Sequence, residues 1–323
     1  MNTFINWLGS SFAPKVAKAM DKKIIRTLSG ALMANVPILL LGSIISIYNL
    51  LAGYVSFLPD LSPVYNFSFG IMSLTLVFLV GYHGAKEYGF KEYGVSTGLI
   101  ALMMFFMVIK PSIADFQFQV AFGRFGGSGM ISAFFAGIVT IVISNLYFKL
   151  HLFEDSVSLP DFLIRWLNQV IPGIIVLVLT TILIYWCNID LFELITKLFS
   201  PLISIGQTYP GFMLCIFIPI FFYSFGINSW FMNPITSPIG LAGITANAAA
   251  FEQGLQPTNI YTSNVTFSVI FIGGMGMTLA LNIMMLKSRS KRIRKFGQIA
   301  MIPSLFNINE PLVYLSLIHI SEP

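Results

Sequence analysis

Long runs of this chain contain no Asp, Glu, Lys or Arg: residues 27–59, 61–85, 93–109, 125–148, 166–189, 198–251 and 253–286. Each approaches or exceeds the ~20 apolar residues that carry a helix across a bilayer. The apolar blocks are continuous and do not alternate with polar positions, so they predict helices and not the strands of a membrane barrel. The run 198–251 is long enough to cross twice. Within it, positions 228 to 238 read Asn-Ser-Trp-Phe-Met-Asn-Pro-Ile-Thr-Ser-Pro. Two prolines deny backbone hydrogen bonds there and disfavour helix just before them, which predicts a broken span. Between positions 191 and 204, Leu191, Phe192, Leu194, Ile195, Leu198, Phe199, Leu202 and Ile203 recur at helical spacing. Glu193, Thr196, Lys197, Ser200 and Ser204 occupy the opposite face, the pattern of an amphipathic helix lying in the interface plane. Residues 4–20 carry a looser version, with Leu8, Phe12 and Val16 on one side. The predicted fold is an all-α polytopic membrane protein of about eight spanning or broken helices with an in-plane amphipathic helix.

Composition sharpens the class. Of 323 residues, 56% are hydrophobic and 10% charged, against about 25% charged in an ordinary soluble domain. The first long apolar run opens only at Thr27 and is followed by more of the same, which predicts an N-terminus that is kept and not a cleaved leader. Cys187 and Cys215 fall in apolar runs far apart, so neither a disulfide framework nor a metal site is indicated.

The net charge of +5 reads as membrane sidedness and gives no reason to expect a nucleic-acid partner. A cytoplasmic N-terminus puts Lys15, Lys18, Lys22, Lys23 and Arg26 inside. Crossing at each apolar block then places Lys86, Lys91, Lys149 and Arg165 inside, with Lys110, Arg124 and Lys197 outside. The cluster Lys287, Arg289, Lys291, Arg292, Arg294 and Lys295 lies inside if residues 198–251 cross twice. The 18 basic residues then divide fifteen to three; a single crossing divides them nine and nine. The positive-inside rule favours two crossings.

Candidate chemistry gathers at two places. Phe306-Asn307-Ile308-Asn309-Glu310-Pro311 sets one carboxylate among amides, with no other charge from Phe296 to Tyr314. A carboxylate at bilayer depth costs about 2.5–3.5 kcal/mol on insertion scales, so such groups face a cavity or a partner. Asn307 and Asn309 supply donors and acceptors without net charge. The second place is the broken span, since irregular backbone at membrane depth lines cavities and transporters build binding sites from it. Asn228, Ser229, Trp230 and Asn233 are its candidates. The glycines at 123, 126, 127 and 129 lack the Gly-Lys-Ser/Thr of a phosphate loop and read as a flexible turn. Gly273, Gly274 and Gly276 fall in a predicted span, where small residues let helices approach. His83 and His151 have no second ligand at metal spacing, and no Ser/His/Asp or Cys/His set is present.

The stretch 303–311, reading PSLFNINEP, follows Gly273-Gly274-Met275-Gly276 and the basic cluster. These residues resemble the membrane component, enzyme IIC, of phosphotransferase-system sugar transporters in the lactose/cellobiose/chitobiose family. The resemblance runs from the segment with Lys22 through Pro37, Ser43, Pro160 and Pro172 to Glu310. It implies a sugar permease that binds a disaccharide-type sugar and presents a hydroxyl to a phosphorylated soluble enzyme IIB subunit. The family acid of Asn-Glu-Pro, which contacts the sugar near that hydroxyl, corresponds to Glu310. A family Gly-Ile-His segment corresponds to Gly226-Ile227-Asn228, so an amide stands in place of an imidazole. An amide bonds a hydroxyl but does not take its proton at neutral pH, which shifts weight to Glu310.

The resemblance also implies a homodimer in the bacterial cell membrane with a cytoplasmic N-terminus. The chain would carry no phosphoryl group itself, whether or not the complex is counted as an enzyme, and would need no cofactor. Family proteins continue beyond Asn-Glu-Pro through further helices. Residues 315–323 instead resemble a translated sequencing-adapter tail, so the expected organisation is an incomplete enzyme IIC domain over 1–314 and a non-native tail. The competing reading is an ion-coupled secondary sugar transporter, which would also use a broken helix and a buried carboxylate.

Overall fold

The structure is a computed structural model. It describes residues 7–305 apart from 13, 16–17, 19–20, 53–56, 115–116, 154–159, 224–231, 263–264, 272–273 and 277. Contacts divide the chain into two compact units, Met20–Pro201 and Met1–Ala19 with Leu202–Pro323.

The first unit is a helical bundle. Its elements are α1 (Lys23–Ala52), the short α2 (Ser62–Asn66), α3 (Met72–Tyr88), α4 (Gly94–Val108), α5 (Met130–Phe148) and α6 (Asp161–Thr181). The last of these runs on through a π-helical turn, Ile182–Trp186. The stretches Ser62–Tyr88, Lys91–Val108, Gly127–Phe148 and Asp161–Trp186 are each long and apolar enough to cross a membrane. The 30 residues of α1 extend about 45 Å at 1.5 Å per residue.

Lipid tails are as apolar as the side chains, so close packing and interhelical hydrogen bonds hold such a bundle together. A Cβ on Gly81 would stand 2.8 Å from the Gly98 Cα, which brings the backbones of α3 and α4 into contact. Val77, Ala101, Met104, Phe105, Ala133, Ala136 and Val176 form the centre of the core. Buried polar groups pair across it: the Thr75 hydroxyl donates to Asn35 Oδ1 at 2.8 Å and the Ser73 hydroxyl to the Gly126 carbonyl at 2.6 Å.

The ends of the bundle are tied by charge. Arg26 pairs with Asp21 at 2.6 Å and Glu87 at 2.8 Å, joining the start of α1 to the end of α3, and these hydrogen bonds push its pKa up. Between α1 and α2 the Asp60 carboxylate accepts the backbone N–H and the hydroxyl of Ser62, which holds its pKa below the usual carboxylate value. At the C-terminus of α4, Arg124 donates to the Ile109 carbonyl at 2.7 Å and lies 4.5 Å over the Phe192 ring. A cation there satisfies an orphan carbonyl and the negative end of the helix dipole. A two-stranded antiparallel hairpin, β1 (Ser112–Ala114) with β2 (Gln117–Gln119), follows α4 and has no counterpart in the apolar pattern. The glycines at 123–129 form short 3-10 turns, as their composition suggests.

The amphipathic segment predicted over 191–204 is α7 (Leu191–Gly206). Leu191, Phe192 and Ile195 pack into the first unit's core, while Leu194 and Leu198 remain exposed. With α8 (Tyr209–Tyr223) it forms a pair bent by 89°. The second unit continues with α9 (Asn233–Glu252), a π-helical turn Thr266–Ile270, α10 (Thr278–Leu286) and α11 (Lys291–Leu305). Near the N-terminus a π-helical turn, Leu8–Phe12, stacks Phe12 against Phe222 at 6.0 Å.

Two expectations change here. Pro238 does not break the chain but sits inside α9, whose Pro234 occupies the first turn. Proline is tolerated at a helix start, and Pro238 removes one bond near that end, so the helix already runs through 233–238. The run 253–286 is not one span. Residues 255–262 have no regular structure, and Gly274 and Gly276 adopt φ of +98° and +82°. Pro257 and those left-handed glycines stop the helix, so these two glycines make a turn and not a helix contact.

Candidate functional site

Of the residues predicted to form the site, the structure describes Asn233. Asn228, Ser229, Trp230, Asn307, Asn309 and Glu310 lie outside the described residues, as does the tail 315–323. Asn233 is the first residue of α9 and is half-buried. One turn on, the Thr236 hydroxyl donates back to the Met232 carbonyl at 3.1 Å, closing the start of the helix. Thr236, Pro238, Ile239, Gly240 and Leu241 are buried, so the first turns of α9 form a packed support that begins at Asn233.

In the irregular segment after α9, side-chain amides satisfy the peptide groups of Asn259 and Tyr261. Gln207, at the corner between α7 and α8, donates through Nε2 to the Tyr261 carbonyl at 2.9 Å. Its Oε1 accepts the Tyr261 N–H at 2.8 Å, and Nε2 also reaches the Ile239 carbonyl at 3.2 Å. Asn247 does the same for Asn259, accepting its N–H at 3.0 Å and donating to its carbonyl at 2.9 Å. Each carboxamide replaces one rung of a β-ladder. Where the chain becomes buried, at Tyr261 and Thr262, such replacement lets non-helical backbone persist. Tyr261 is buried against Phe212, with Thr236 and Thr266 in hydrogen-bonding relation to its hydroxyl.

A hairpin of α10 and α11 leads to residue 305. Ile293 and Phe296 pack on the buried Met285 and Ala300. Asn282, fully buried, donates through Nδ2 to the Ser304 hydroxyl at 3.3 Å, and its Oδ1 has no partner among the described residues. Ser304 lies just ahead of the Asn307–Pro311 motif in the chain.

The sequence reading missed Gln207, Asn247 and Asn282. The available signal was a lone carboxamide inside a charge-free run, which needs a partner wherever it is buried. It also missed the bridge in the first unit from Tyr147 through Asn168 to Tyr93, at 2.9 and 3.2 Å. Among the described residues no group of three His, Cys, Asp or Glu side chains could hold a metal ion.

The family model described as "Phosphotransferase system, EIIC" matches residues 29–323. The chain belongs to that family. EIIC membership makes it a multi-pass membrane protein and a sugar permease component of the phosphotransferase system, and it sets aside the ion-coupled alternative.

Among curated EIIC proteins, the chain is 26% identical to the putative permease IIC component YwbA of Bacillus subtilis, over 97% of this chain and 77% of that protein. It is 27% identical to the cellobiose-specific EIIC component of Geobacillus stearothermophilus, over 97% of this chain and 76% of that one. It is 24% identical to the lactose-specific EIICB component of Staphylococcus haemolyticus, of which it spans 57%. The fold matches the crystal structure of ChbC, the IIC component from the N,N'-diacetylchitobiose-specific phosphotransferase system. That match has a TM-score of 0.83 and 22% identity, over 98% of this chain and 79% of that one.

Proposed function

We propose that this EIIC chain binds a disaccharide-type sugar of the cellobiose class and presents one hydroxyl to a phosphorylated soluble EIIB subunit at the cytoplasmic face of a bacterial cell membrane. The observation that carries this reading is Glu310 within Asn-Glu-Pro, a lone carboxylate in an apolar stretch of a chain that belongs to the EIIC family. Glu310 accepts the hydrogen bond, and then the proton, of the hydroxyl to be phosphorylated. The soluble subunit carries its phosphoryl group on a cysteine of its own, and that P–S bond breaks as the P–O bond to the sugar forms. Asn307, Asn309, Asn228, Trp230 and Asn233 orient the ring. Holding acceptor and donor in line is the chain's contribution, because the phosphoryl carrier is on the other subunit. The protein works as a homodimer with its N-termini in the cytoplasm.

The test is sugar binding and phosphorylation by the purified protein. Glu310→Gln keeps the size and removes a charge-assisted acceptor worth about 1.5–3 kcal/mol. Affinity or phosphorylation is expected to fall roughly tenfold or more. Unchanged values in this variant would remove Glu310 from the mechanism. Asn228→His is expected to be tolerated and to alter sugar preference; a variant that no longer folds would make position 228 a packing site.

A further inference from the structure

We infer that the turn joining α10 to α11 is the docking surface for an acidic face of the phosphorylated soluble subunit, an assignment that rests on the phosphotransfer reading above. Residues 287–292 read Lys-Ser-Arg-Ser-Lys-Arg, and Arg294 and Lys295 follow in the first turns of α11. All six cations are exposed. From Gln253 to Asn309 the sequence holds no Asp or Glu, and among the described residues none of the six enters an ion pair.

Sidedness explains the sign of this cluster but not its lack of countercharge. The other cations assigned to the same side travel with acids. Arg26 pairs with Asp21 and Glu87, Lys91 precedes Glu92, and Glu154, Asp155 and Asp161 lie between Lys149 and Arg165. The turn also gathers four cations in the first five residues of α11, where the helix dipole is positive and the first turn has no acid. Charges of one sign so concentrated repel each other and gain from an anionic partner.

The surface is also preformed. Arg294 donates through Nε and Nη2 to the Ser288 carbonyl at 3.1 and 2.8 Å, and its backbone N–H reaches the Ser290 carbonyl at 3.0 Å. The apolar contacts of α11 with α10 lie on the other side of the helix, so the turn is braced and docking orders little further chain.

A soluble protein fits better than the bilayer surface. Segments that lie in the interface interleave apolar side chains to bury, and residues 287–292 contain none. The donor arrives with a phosphoryl group of about −1.5 to −2 charge at neutral pH. A basic turn steers such an encounter and sets its orientation.

The experiment measures sugar phosphorylation by the protein in zwitterionic nanodiscs, against the concentration of its cognate phosphorylated EIIB, at several salt concentrations. The variant changes Lys287, Arg289, Lys291, Arg292 and Lys295 to Ala and leaves Arg294, which holds the turn. Its KM for phosphorylated EIIB is expected to rise about tenfold or more and to lose most of its salt dependence. Its kcat and its sugar Kd are expected to stay within about twofold of the wild type, and the sugar Kd reports an intact fold. The charge-keeping pair Arg289→Lys and Arg292→Lys is expected to retain the wild-type KM. An unchanged KM and salt slope in the alanine variant would overturn the assignment. The same result with lost binding to phosphatidylglycerol vesicles would give the turn to lipid headgroups instead. A wild type that binds sugar but yields no sugar phosphate with phosphorylated EIIB would overturn the phosphotransfer reading itself, a separate outcome.

Discussion

Asn282 and Ser304 show how one buried amide sets the terms for two helices. An Asn side chain in an apolar helix must find a partner, and the Ser304 hydroxyl is the one α11 presents. Interhelical hydrogen bonds in membranes contribute about 0.6 kcal/mol on average and up to about 1.7. The loss on removing one member also includes the group left orphaned. Asn282→Leu is expected to lower the melting temperature of the purified protein. Asn282→Leu with Ser304→Ala is expected to recover most of the loss, because replacing both partners leaves nothing unpaired. A double variant no better than the single one would show that the amide matters through some other contact. Among the described residues the Asn282 Oδ1 has no partner, so this amide has acceptor capacity to spare.

At the scale of elements, the informative feature is how a segment without regular structure is tied to the second unit. The backbone at Asn259 and Tyr261 borrows its hydrogen bonds from Asn247 and Gln207, carboxamides on or beside helices. Gln207→Leu keeps the volume and orphans the N–H and carbonyl of Tyr261, each at about 1–3 kcal/mol when buried. A clear loss of thermal stability is expected, with proteolysis or hydrogen exchange rising first around residues 255–262. Wild-type exchange in that segment would mean that it is held by packing alone. The amphipathic periodicity over 191–204 located α7 correctly, since its spacing is a local property. Periodicity does not report the 89° bend into α8, because it reads the period of each helix and not the angle between them.

For the whole molecule, charge gives the sharpest test. The fifteen-to-three division of Lys and Arg predicts that residue 288 and residue 117 lie on opposite faces of the membrane. In a background lacking Cys187 and Cys215, a single cysteine at Ser288 is expected to resist an impermeant thiol reagent added outside intact cells. One at Gln117, exposed on β2, is expected to label. Equal labelling of both would refute the topology. The EIIC family model matches residues 29–323 and the ChbC fold is matched over 98% of the chain, so each compact unit falls within the stretch that the family resemblance covers.

Membrane class, the positions of most helices and the candidate motif were legible in the sequence because each rests on local quantities. Continuous apolar length, period and a lone carboxylate in a charge-free stretch are read from neighbours in the chain. Of the site, Asn233 alone could be followed into the structure, and its place at the head of α9 shows why Pro238 misled: a proline near a helix start costs far less than one at its centre. The partners of buried polar groups could not be read in advance. Gln207 meets Tyr261, Asn282 meets Ser304 and Arg124 meets the end of α4 across sequence separations that no local pattern spans. The sequence by itself determined which stretches leave water and which residues would need a partner there. Only the tertiary structure decided which partners they found, because an apolar surrounding demands that each buried hydrogen bond be closed but leaves to packing the choice of the group that closes it.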